Sequence, residues 1–496
     1  MSNFSNLLRE YIYRNNIKIQ SLAKTSGVDR TLIQKMLTGD RIPADKEVLE
    51  KLIESLMLSP RQGRQLRESY HIARIGEDTY KRHLLVGDML EGFCYSPNKS
   101  DIISNSTYEH SFKNEGENGI FYGSNTINQL LKAVIEAEAS KKGIIKMIVQ
   151  PTYQLFISLL AMIGSEYSLH VDHIFCLQEF GDQADPNTYN IDCIKNIVPL
   201  LTTDCVYTPH IYYENISCHI NNASFFPYVV ITGSHVVTLS KDCQTAILYQ
   251  TSSFLKLYTS LFDELKTNTI SLIASIKPTL GTYEYYYYRR EDSDKDFVSQ
   301  GLQYSLHAQP CLPLFAPKDM VEKYINDVPQ KQQLIHLHEK KICKLLKDVG
   351  TEDIFTTYFT QEGIGYFWKH GRFLELPDYL YKPLEKKDRL RLLTLYYKKC
   401  LENKVHCHLV NKEIFRFPQN LIISATKDGY ISILYTPYQK DTIYYTIKET
   451  SLASSLYSYL NFLKLSCAVH SMKTTLKLLK EQIDIYTKEL NEPEVV

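Results

Sequence analysis

Apolar residues recur at helical spacing through the first 76 positions of the chain. The first such run occupies one helical face and consists of Phe4, Leu7, Leu8, Tyr11 and Ile12. A second run follows Pro43 and consists of Val48, Leu49, Leu52, Ile53 and Leu56. Ser59 and Gln62 then form a capping box with Pro60 at the first helical position, which predicts a further helix toward Gly76.

Residues 19–39, IQSLAKTSGVDRTLIQKMLTG, indicate two short helices joined by a tight turn. Gly27 lies in the turn, where a positive φ is needed and glycine adopts it at little cost. Asp29 is suited to cap the second helix and Gly39 to end it. The positions predicted to face inward are Leu22, Ala23, Val28, Ile33, Met36 and Leu37. This spacing of alanine, glycine and isoleucine is that of a helix-turn-helix.

From residue 120 onward the pattern alternates between helices and β-branched strands. Helices are predicted at 125–143, 152–164 and 252–266, and strands at 144–150, 169–177, 225–239 and 246–250. A similar order follows later, with helices at 386–404, 451–465 and 474–490 and strands at 405–410, 420–435 and 442–450. Asp428-Gly429 is a hairpin turn signal within the second series.

Two stretches of the later series match the earlier one in character. PYVVITGSHVVTL resembles QNLIISATKDGYISIL, and TSSFLKLYTSLFDELK resembles TSLASSLYSYLNFLKL. We therefore expect an all-α head of five helices at 1–76, a connector at 77–119 and an α+β body with halves at 120–275 and 276–496. The pattern fits an internal duplication, and it also fits two unrelated α+β domains with ordinary strand–strand–helix endings.

The head resembles the Cro/lambda-repressor (XRE) class of helix-turn-helix domains over roughly residues 3–70. The resemblance rests on Leu22, Ala23, Gly27, Val28, Ile33 and Leu37 together with the helix count. In that class the second helix of the motif lies in the major groove. The resemblance thus implies a DNA-binding set of Gln20, Ser21, Arg30, Thr31, Gln34, Lys35, Thr38 and Arg41.

The chemistry of these side chains suggests a role for each. Arg30 suits the O6 and N7 atoms of guanine, and Gln34 suits the N6 and N7 atoms of adenine. Lys35 and Arg41, with Lys24, are suited to phosphates, which position the protein without specifying sequence. The first-helix amides near Gln20 and Ser21 can point at a phosphate. The alternatives are a solvated helix face or a module that binds protein.

Charge is divided unevenly along the chain, although the net charge is zero. Residues 1–90 contain fifteen Lys/Arg and eleven Asp/Glu, and the remainder contains 41 and 45. A basic head on an acidic body favours nucleic-acid contact at the head.

The eleven cysteines show no CxxC pair, which favours reduced thiols in the cytoplasm. MSNFSNLLRE does not resemble a signal peptide. The uncharged stretch 147–165 is interpreted as strand, turn and core helix, with a membrane span as the alternative.

The duplicated order of the body also resembles, distantly, the halves of phospholipase-D-like enzymes. That class needs a His-x-Lys motif with an aspartate five residues after the lysine. His110 and Lys113 are spaced wrongly, and His338-Glu339-Lys340 is followed by Leu345 instead of aspartate. P-loop, GxGxxG, HExxH and GxSxG motifs are missing from the sequence. We therefore expect no catalytic residues, no cofactor and no enzymatic activity.

Three other stretches have chemical potential. His406 and His408 share a strand face, but a metal site needs three or four convergent ligands, so no metal is expected. YEYYYYRR at 283–290 could stack on bases, although a tyrosine-rich strand is favoured. The stretch 365–384 places Trp368, the single tryptophan, beside His370 and Arg372, where the three could line a ligand pocket or pack internally.

Together these features predict a cytoplasmic DNA-binding transcriptional regulator. Its partners would be double-stranded DNA, a second copy in a homodimer, and a small-molecule or peptide effector sensed by the body. No membrane association is expected. Two alternatives remain open: a DNA-targeted enzyme with a phospholipase-D-like body, and a protein-interaction scaffold.

Overall fold

A computed structural model gives the fold of the 496-residue chain. It describes residues 3–93, 118–179, 188–203, 205–214, 225–276, 303–329, 331–336, 338–339, 355–376, 378–402, 405–426, 431–436, 443–447 and 449–491. A helical N-terminal region precedes a mixed α/β body with two sheets, so the predicted fold class is confirmed at this level. The described residues do not include the tyrosine-rich stretch 283–290, Lys340, Cys343, Leu345 or the turn signal at 428–429.

The head consists of five helices. They are α1 (Asn3–Arg14), α2 (Ile19–Ser26), α3 (Arg30–Thr38), α4 (Lys46–Ser55) and α5 (Pro60–Ile75). Their apolar faces meet in one core, in which Phe4, Leu22 and Ile33 are fully buried. Ser59 caps α5 through the capping box with Gln62. The connector begins with α6 (Glu77–Gly92).

The chain divides into two compact units. The first contains residues 1–84, 297–419 and 455–496, and the second contains residues 85–296 and 420–454. Each unit is assembled from separate chain segments, whereas the domains predicted from the sequence are contiguous. The predicted boundaries at 76, 119 and 275 therefore stay a prediction of chain organisation and do not delimit these units.

The second unit holds an eight-stranded sheet with the order β1-β7-β6-β5-β2-β3-β4-β8. Strands β2, β3 and β4 are parallel, and the other pairs are antiparallel. The elements are β1 (Gly119–Tyr122), α7 (Ser124–Ala139), β2 (Ile144–Ile148), α8 (Gln154–Glu166), β3 (His170–Gln178), α9 (Thr188–Leu201), β4 (Val206–Glu214), β5 (Tyr228–Ile231), β6 (Val236–Leu239), β7 (Thr245–Tyr249), α10 (Ser252–Thr267) and β8 (Ile270–Ser271).

The later elements continue the chain. They are β9 (Ile273–Ile276), β10 (Gln303–His307), a 3₁₀ turn (Leu312–Phe315), α11 (Lys318–Tyr324), β11 (Phe355–Phe359), α12 (Gln361–His370), α13 (Lys386–Leu401), β12 (Val405–Leu409), β13 (Leu421–Thr426), β14 (Ile431–Tyr435), β15 (Ile443–Ile447), α14 (Thr450–Leu463) and α15 (Met472–Asn491). In the first unit β10, β11 and β12 are parallel neighbours. In the second unit β13, β14, β15 and β9 pair antiparallel in that order.

The same sequence of pairings occurs twice along the chain. Three parallel strands, β2-β3-β4, are followed by the antiparallel meander β5-β6-β7, whose last strand pairs with the earlier β1. Likewise β10-β11-β12 are followed by β13-β14-β15, whose last strand pairs with the earlier β9. A helix follows each meander, α10 in one case and α14 in the other.

A short sequence repeat marks the same point of both series. VQPTYQLF follows β2 and AQPCLPLF follows β10, so each parallel series has Gln-Pro-x-x-x-Leu-Phe after its first strand. Both glutamines are buried. The Gln309 amide donates to Arg372 O at 3.0 Å and accepts from Leu374 N at 3.1 Å. In the amide orientation that satisfies both of its atoms, Gln150 also donates to and accepts from the backbone, in its case of Cys176 in β3, at 3.1 and 3.2 Å.

The uncharged stretch at 147–165 is accounted for by the end of β2, a turn and α8, as predicted. Among the described residues, none of the helices is both long enough and apolar enough to span a membrane.

Candidate functional site: the exposed face of helix α3

Helix α3 carries two distinct faces. Ile33 and Met36 point into the head core and are fully buried. The opposite face consists of Arg30, Thr31, Gln34, Lys35 and Thr38, all of which are exposed. These positions follow the helical period, so they form one stripe along α3. Gln20, Ser21 and Arg41, the other predicted DNA-binding residues, are exposed as well.

Local chemistry fixes where α3 begins and how it meets α2. Gly27 ends α2 with φ of 66°, the left-handed conformation that the turn requires. Asp29 then caps α3, because its Oδ1 accepts from the amides of Thr31 at 2.8 Å and Leu32 at 3.1 Å. Gly39 has φ of 89° and terminates α3. Both glycines and the aspartate therefore act as the sequence predicts.

Some cations of the head form ion pairs and others do not. Arg14 pairs with Glu10, and Arg67 pairs with Glu50. In contrast, within the described part of the chain no ion pair involves Arg30, Lys35 or Arg41. Three exposed guanidinium or ammonium groups without a carboxylate partner are available to an external anion.

Two details modify the predicted roles. The Thr38 hydroxyl bonds to Gln34 O, to Lys35 O and to the Asp40 carboxylate, the last at 2.7 Å. A base contact by Thr38 would have to replace these bonds. At the start of α2 the N-cap position is Lys18, whose side chain makes no capping bond. The first amides of α2, near Gln20 and Ser21, are thus not capped by that side chain.

The three residues proposed to line a ligand pocket contact different neighbours. Trp368 is buried, stacks on Tyr486 with ring centroids 4.2 Å apart, and donates its Nε1–H to Glu489 at 2.6 Å. His370 is exposed and lies against Tyr366. Arg372 donates to the backbone oxygens of Asp378 and Tyr381, at 3.2 and 2.9 Å. These contacts are internal packing contacts and hydrogen bonds that hold a loop in place. A ligand-binding role for the three residues remains a prediction.

Of the two histidines on β12, His408 is buried and bound to neighbouring residues. His408 Nδ1 lies 3.0 Å from His470 O, its ring stacks on Tyr358, and burial lowers its pKa to about 4. The described residues contain no group of three or more His, Cys, Asp or Glu side chains suited to a metal ion. Cys218 and His219 lie outside the described residues. The eight described cysteines are free thiols.

A further polar group lies at the end of β10. Ser305 Oγ contacts His307 Nε2, and His307 Nδ1 lies 3.8 Å from Glu375 Oε2. Serine, histidine and glutamate in this order could relay a proton. However, Ser305 is 1% exposed and His307 4% exposed, so a substrate could not reach the hydroxyl in this conformation. The group was not found in the sequence because Ser305-Leu306-His307 has no distinctive motif.

Comparison with known proteins gives matches in structure but not in sequence. No known family model matches the chain, and no curated protein is significantly similar to it in sequence. Among solved structures the chain is similar to a phosphatidylserine synthase of Haemophilus influenzae Rd KW20, at 10% identity and a TM-score of 0.23. The match covers 75% of this chain and 94% of that chain.

This match corrects one prediction. The sequence motifs led us to expect a protein without enzymatic activity, whereas the solved structure that the chain matches is a synthase, and therefore an enzyme. The expectation that the chain is not an enzyme is withdrawn. It rested on searching for motifs with fixed spacing, which do not reveal side chains brought together by folding. A TM-score of 0.23 transfers neither a fold nor an activity.

Proposed function

We propose that this protein is a DNA-binding transcriptional regulator whose head is a helix-turn-helix of the Cro/lambda-repressor (XRE) type. The observation that carries the proposal is the stripe of exposed polar side chains on α3, whose cations pair with none of the described carboxylates. A helix presenting Arg, Gln and Lys from a rigid apolar core is suited to the major groove.

Each residue has a distinct task in this proposal. Arg30 reads guanine and Gln34 reads adenine, because their side chains can make paired bonds to those base edges. Lys35 and Arg41 neutralise phosphates, and the α2 amides near Gln20 and Ser21 donate to another phosphate. Thr31 and Thr38 lie on the same face and complete the surface.

For the body we propose effector sensing, dimerisation or both, with two halves derived from a duplication. The support for duplication is the repeated order of pairings and the two buried glutamines of the Gln-Pro-x-x-x-Leu-Phe repeat. Dimerisation is proposed because helix-turn-helix proteins of this type bind paired half-sites. Sedimentation of the full chain with and without a DNA duplex tests it.

The DNA assignment is tested by selecting duplexes from a random pool with the full chain. Arg30→Ala should weaken binding by about 1–3 kcal/mol and relax preference at one base position. Lys35→Ala should weaken all duplexes alike and reduce the salt slope by about 1. Lys51→Ala, at an exposed position of α4, is the matched control. If neither Arg30→Ala nor Lys35→Ala changes affinity relative to that control, the proposal is wrong.

A further inference from the structure

The segment 460–470, which contains the end of α14 and the loop before α15, is held by a lysine of the head. We refer to it as the junction segment. Lys46, the first residue of α4, donates from Nζ to Lys464 O at 3.0 Å and to Val469 O at 2.5 Å. Lys46 is only 7% exposed. An ammonium group is rarely buried unless its donors are satisfied, so these carbonyls define its position.

Other head residues contact the same segment. Cys467 is 4% exposed and belongs to the head core cluster. Phe462 packs edge-on against the His71 ring at 5.1 Å and lies 5.3 Å from the His83 ring. Burial lowers the pKa of both histidines to about 4, which keeps the rings neutral within this apolar contact. The junction segment is thus packed against the head over several residues.

The other contacts of the junction segment reach two of the parallel strands through tyrosines. Tyr304 of β10 donates to Asn461 Oδ1 at 2.5 Å and accepts from Lys464 Nζ at 3.2 Å. Tyr358 of β11 donates to Leu460 O at 2.6 Å. Both tyrosines are fully buried, and the bond from Tyr358 to Leu460 O is shielded from water.

The third parallel strand is joined through backbone bonds. At the end of β12, His470 N donates to Leu409 O at 2.8 Å. Two residues further on, Asn411 N donates to Ala468 O, also at 2.8 Å. These bonds lie at the carboxyl end of β12, and ligands of open α/β sheets bind outside the carboxyl ends of parallel strands.

We propose that the junction segment transmits changes at Tyr304 of β10 and at the carboxyl ends of β11 and β12 to the DNA-binding head. A displacement of residues 468–470 withdraws the Val469 carbonyl from Lys46. Helix α4, which packs on α2, then loses its anchor, and α2 carries the change to α3. The inference rests on the proposed function for its consequence, but the anchoring itself can be measured without DNA.

The first test uses hydrogen exchange of the full chain without DNA. Lys46→Met keeps the aliphatic stem and removes the ammonium, so two buried carbonyls lose a charged donor. We expect exchange at residues 464–470 and in α4 to be about tenfold faster than in Lys51→Met, the exposed control on the same helix. Emission of Trp368 reports whether α12 and α15 remain packed. Exchange rates within about twofold of the control would overturn the proposal.

The second test needs no variant, and so does not depend on whether Lys46→Met folds. Coupling between two sites is reciprocal, so a duplex selected by the wild-type chain should slow exchange at the His470 amide. Unchanged exchange with the duplex bound would overturn the proposal. If the wild-type chain selects no duplex, the proposed DNA function fails, whereas the comparison of Lys46→Met with Lys51→Met still decides the anchoring.

Discussion

Glu50 and Arg67 form the ion pair that joins α4 to α5, and it offers a quantitative test of the head structure. Arg67 donates from Nε to Glu50 Oε1 at 2.7 Å and from a terminal nitrogen to Oε2 at 2.6 Å. The two side chains are 22% and 31% exposed. Glu50→Gln preserves the shape of the side chain but removes its charge, which leaves the half-buried guanidinium without a counterion.

The expected cost lies between two known limits. Exposed pairs contribute about 0.2–1 kcal/mol, and breaking a buried pair costs about 3–5 kcal/mol. The pair is partly exposed, and glutamine can still accept one bond from Arg67. We therefore expect Glu50→Gln to lower the free energy of opening α4 and α5 by about 1–2 kcal/mol. Glu54→Gln, on the exposed side of α4, is the matched control.

The pH dependence gives the sharper test. Burial raises the pKa of Glu50, but hydrogen bonds from Arg67 and Cys467 outweigh it and hold the pKa below the ordinary 4.5. A carboxyl with a lowered pKa in the folded state contributes stability above its unfolded pKa and loses it as pH falls through the folded pKa. The difference between wild type and Glu50→Gln should therefore be full well above the ordinary pKa of 4.5 and shrink as the pH falls below it through the lowered pKa.

Hydrogen exchange of α4 and α5 amides is the suitable assay, because a chain with two compact units need not unfold in one step. The opening free energies of wild type, Glu50→Gln and Glu54→Gln would be compared across this pH range. A loss in Glu50→Gln that stays the same at all pH values would refute the reasoning, since it would arise from packing and not from the charge of Glu50.

Two further predictions concern helix α12 and the cap of α3. Gly363→Ala should lower the melting temperature followed by Trp368 emission, because an added Cβ would lie 1.9 Å from the backbone oxygen of Ala308. In the control Gly365→Ala, the added Cβ meets nothing within 4 Å, so this change should be neutral or stabilise the protein by up to about 1 kcal/mol. If both changes had the same effect, the close approach of α12 to Ala308 would be incorrect. Asp29→Ala should speed exchange of the Thr31 and Leu32 amides, at a cost of about 1 kcal/mol in helix stability, because it removes the cap. Asp29→Asn should retain most of the protection. Equal exchange in the wild type and both variants would contradict the cap.

Local features of the head could be predicted from the sequence because each depends on neighbouring residues. The left-handed Gly27, the Asp29 cap and the capping box of Ser59 follow from backbone sterics and hydrogen bonds within a few positions. The faces of α3 likewise follow from the helical period alone. Strand positions in the body could be predicted for the same reason, since β-branched runs bounded by turn residues need no tertiary information.

Pairings between distant segments were not predicted. The first unit joins residues 1–84 to 297–419 and 455–496, and no local pattern encodes which segments will meet. Gln-Pro-x-x-x-Leu-Phe could have been found by aligning the two halves at β2 and β10. It was missed because the comparison used the meander and the helix after it, where apolar character is similar but identical residues are few.

Lys46 shows most clearly what a sequence conceals. In the pattern it follows Pro43, Ala44 and Asp45 at the start of an amphipathic helix, where a lysine is ordinarily a solvated side chain. A cation in the first turn also opposes the helix dipole, so α4 itself gives no reason for it. The reason lies 418 and 423 residues away, in the carbonyls of Lys464 and Val469. Lys46 is unfavourable in its own helix and yet buried in the fold. Its presence is therefore explained by its distant partners. The exposed face of α3 is the proposed surface for DNA. The junction segment is the proposed place where the head and the strand ends act on each other.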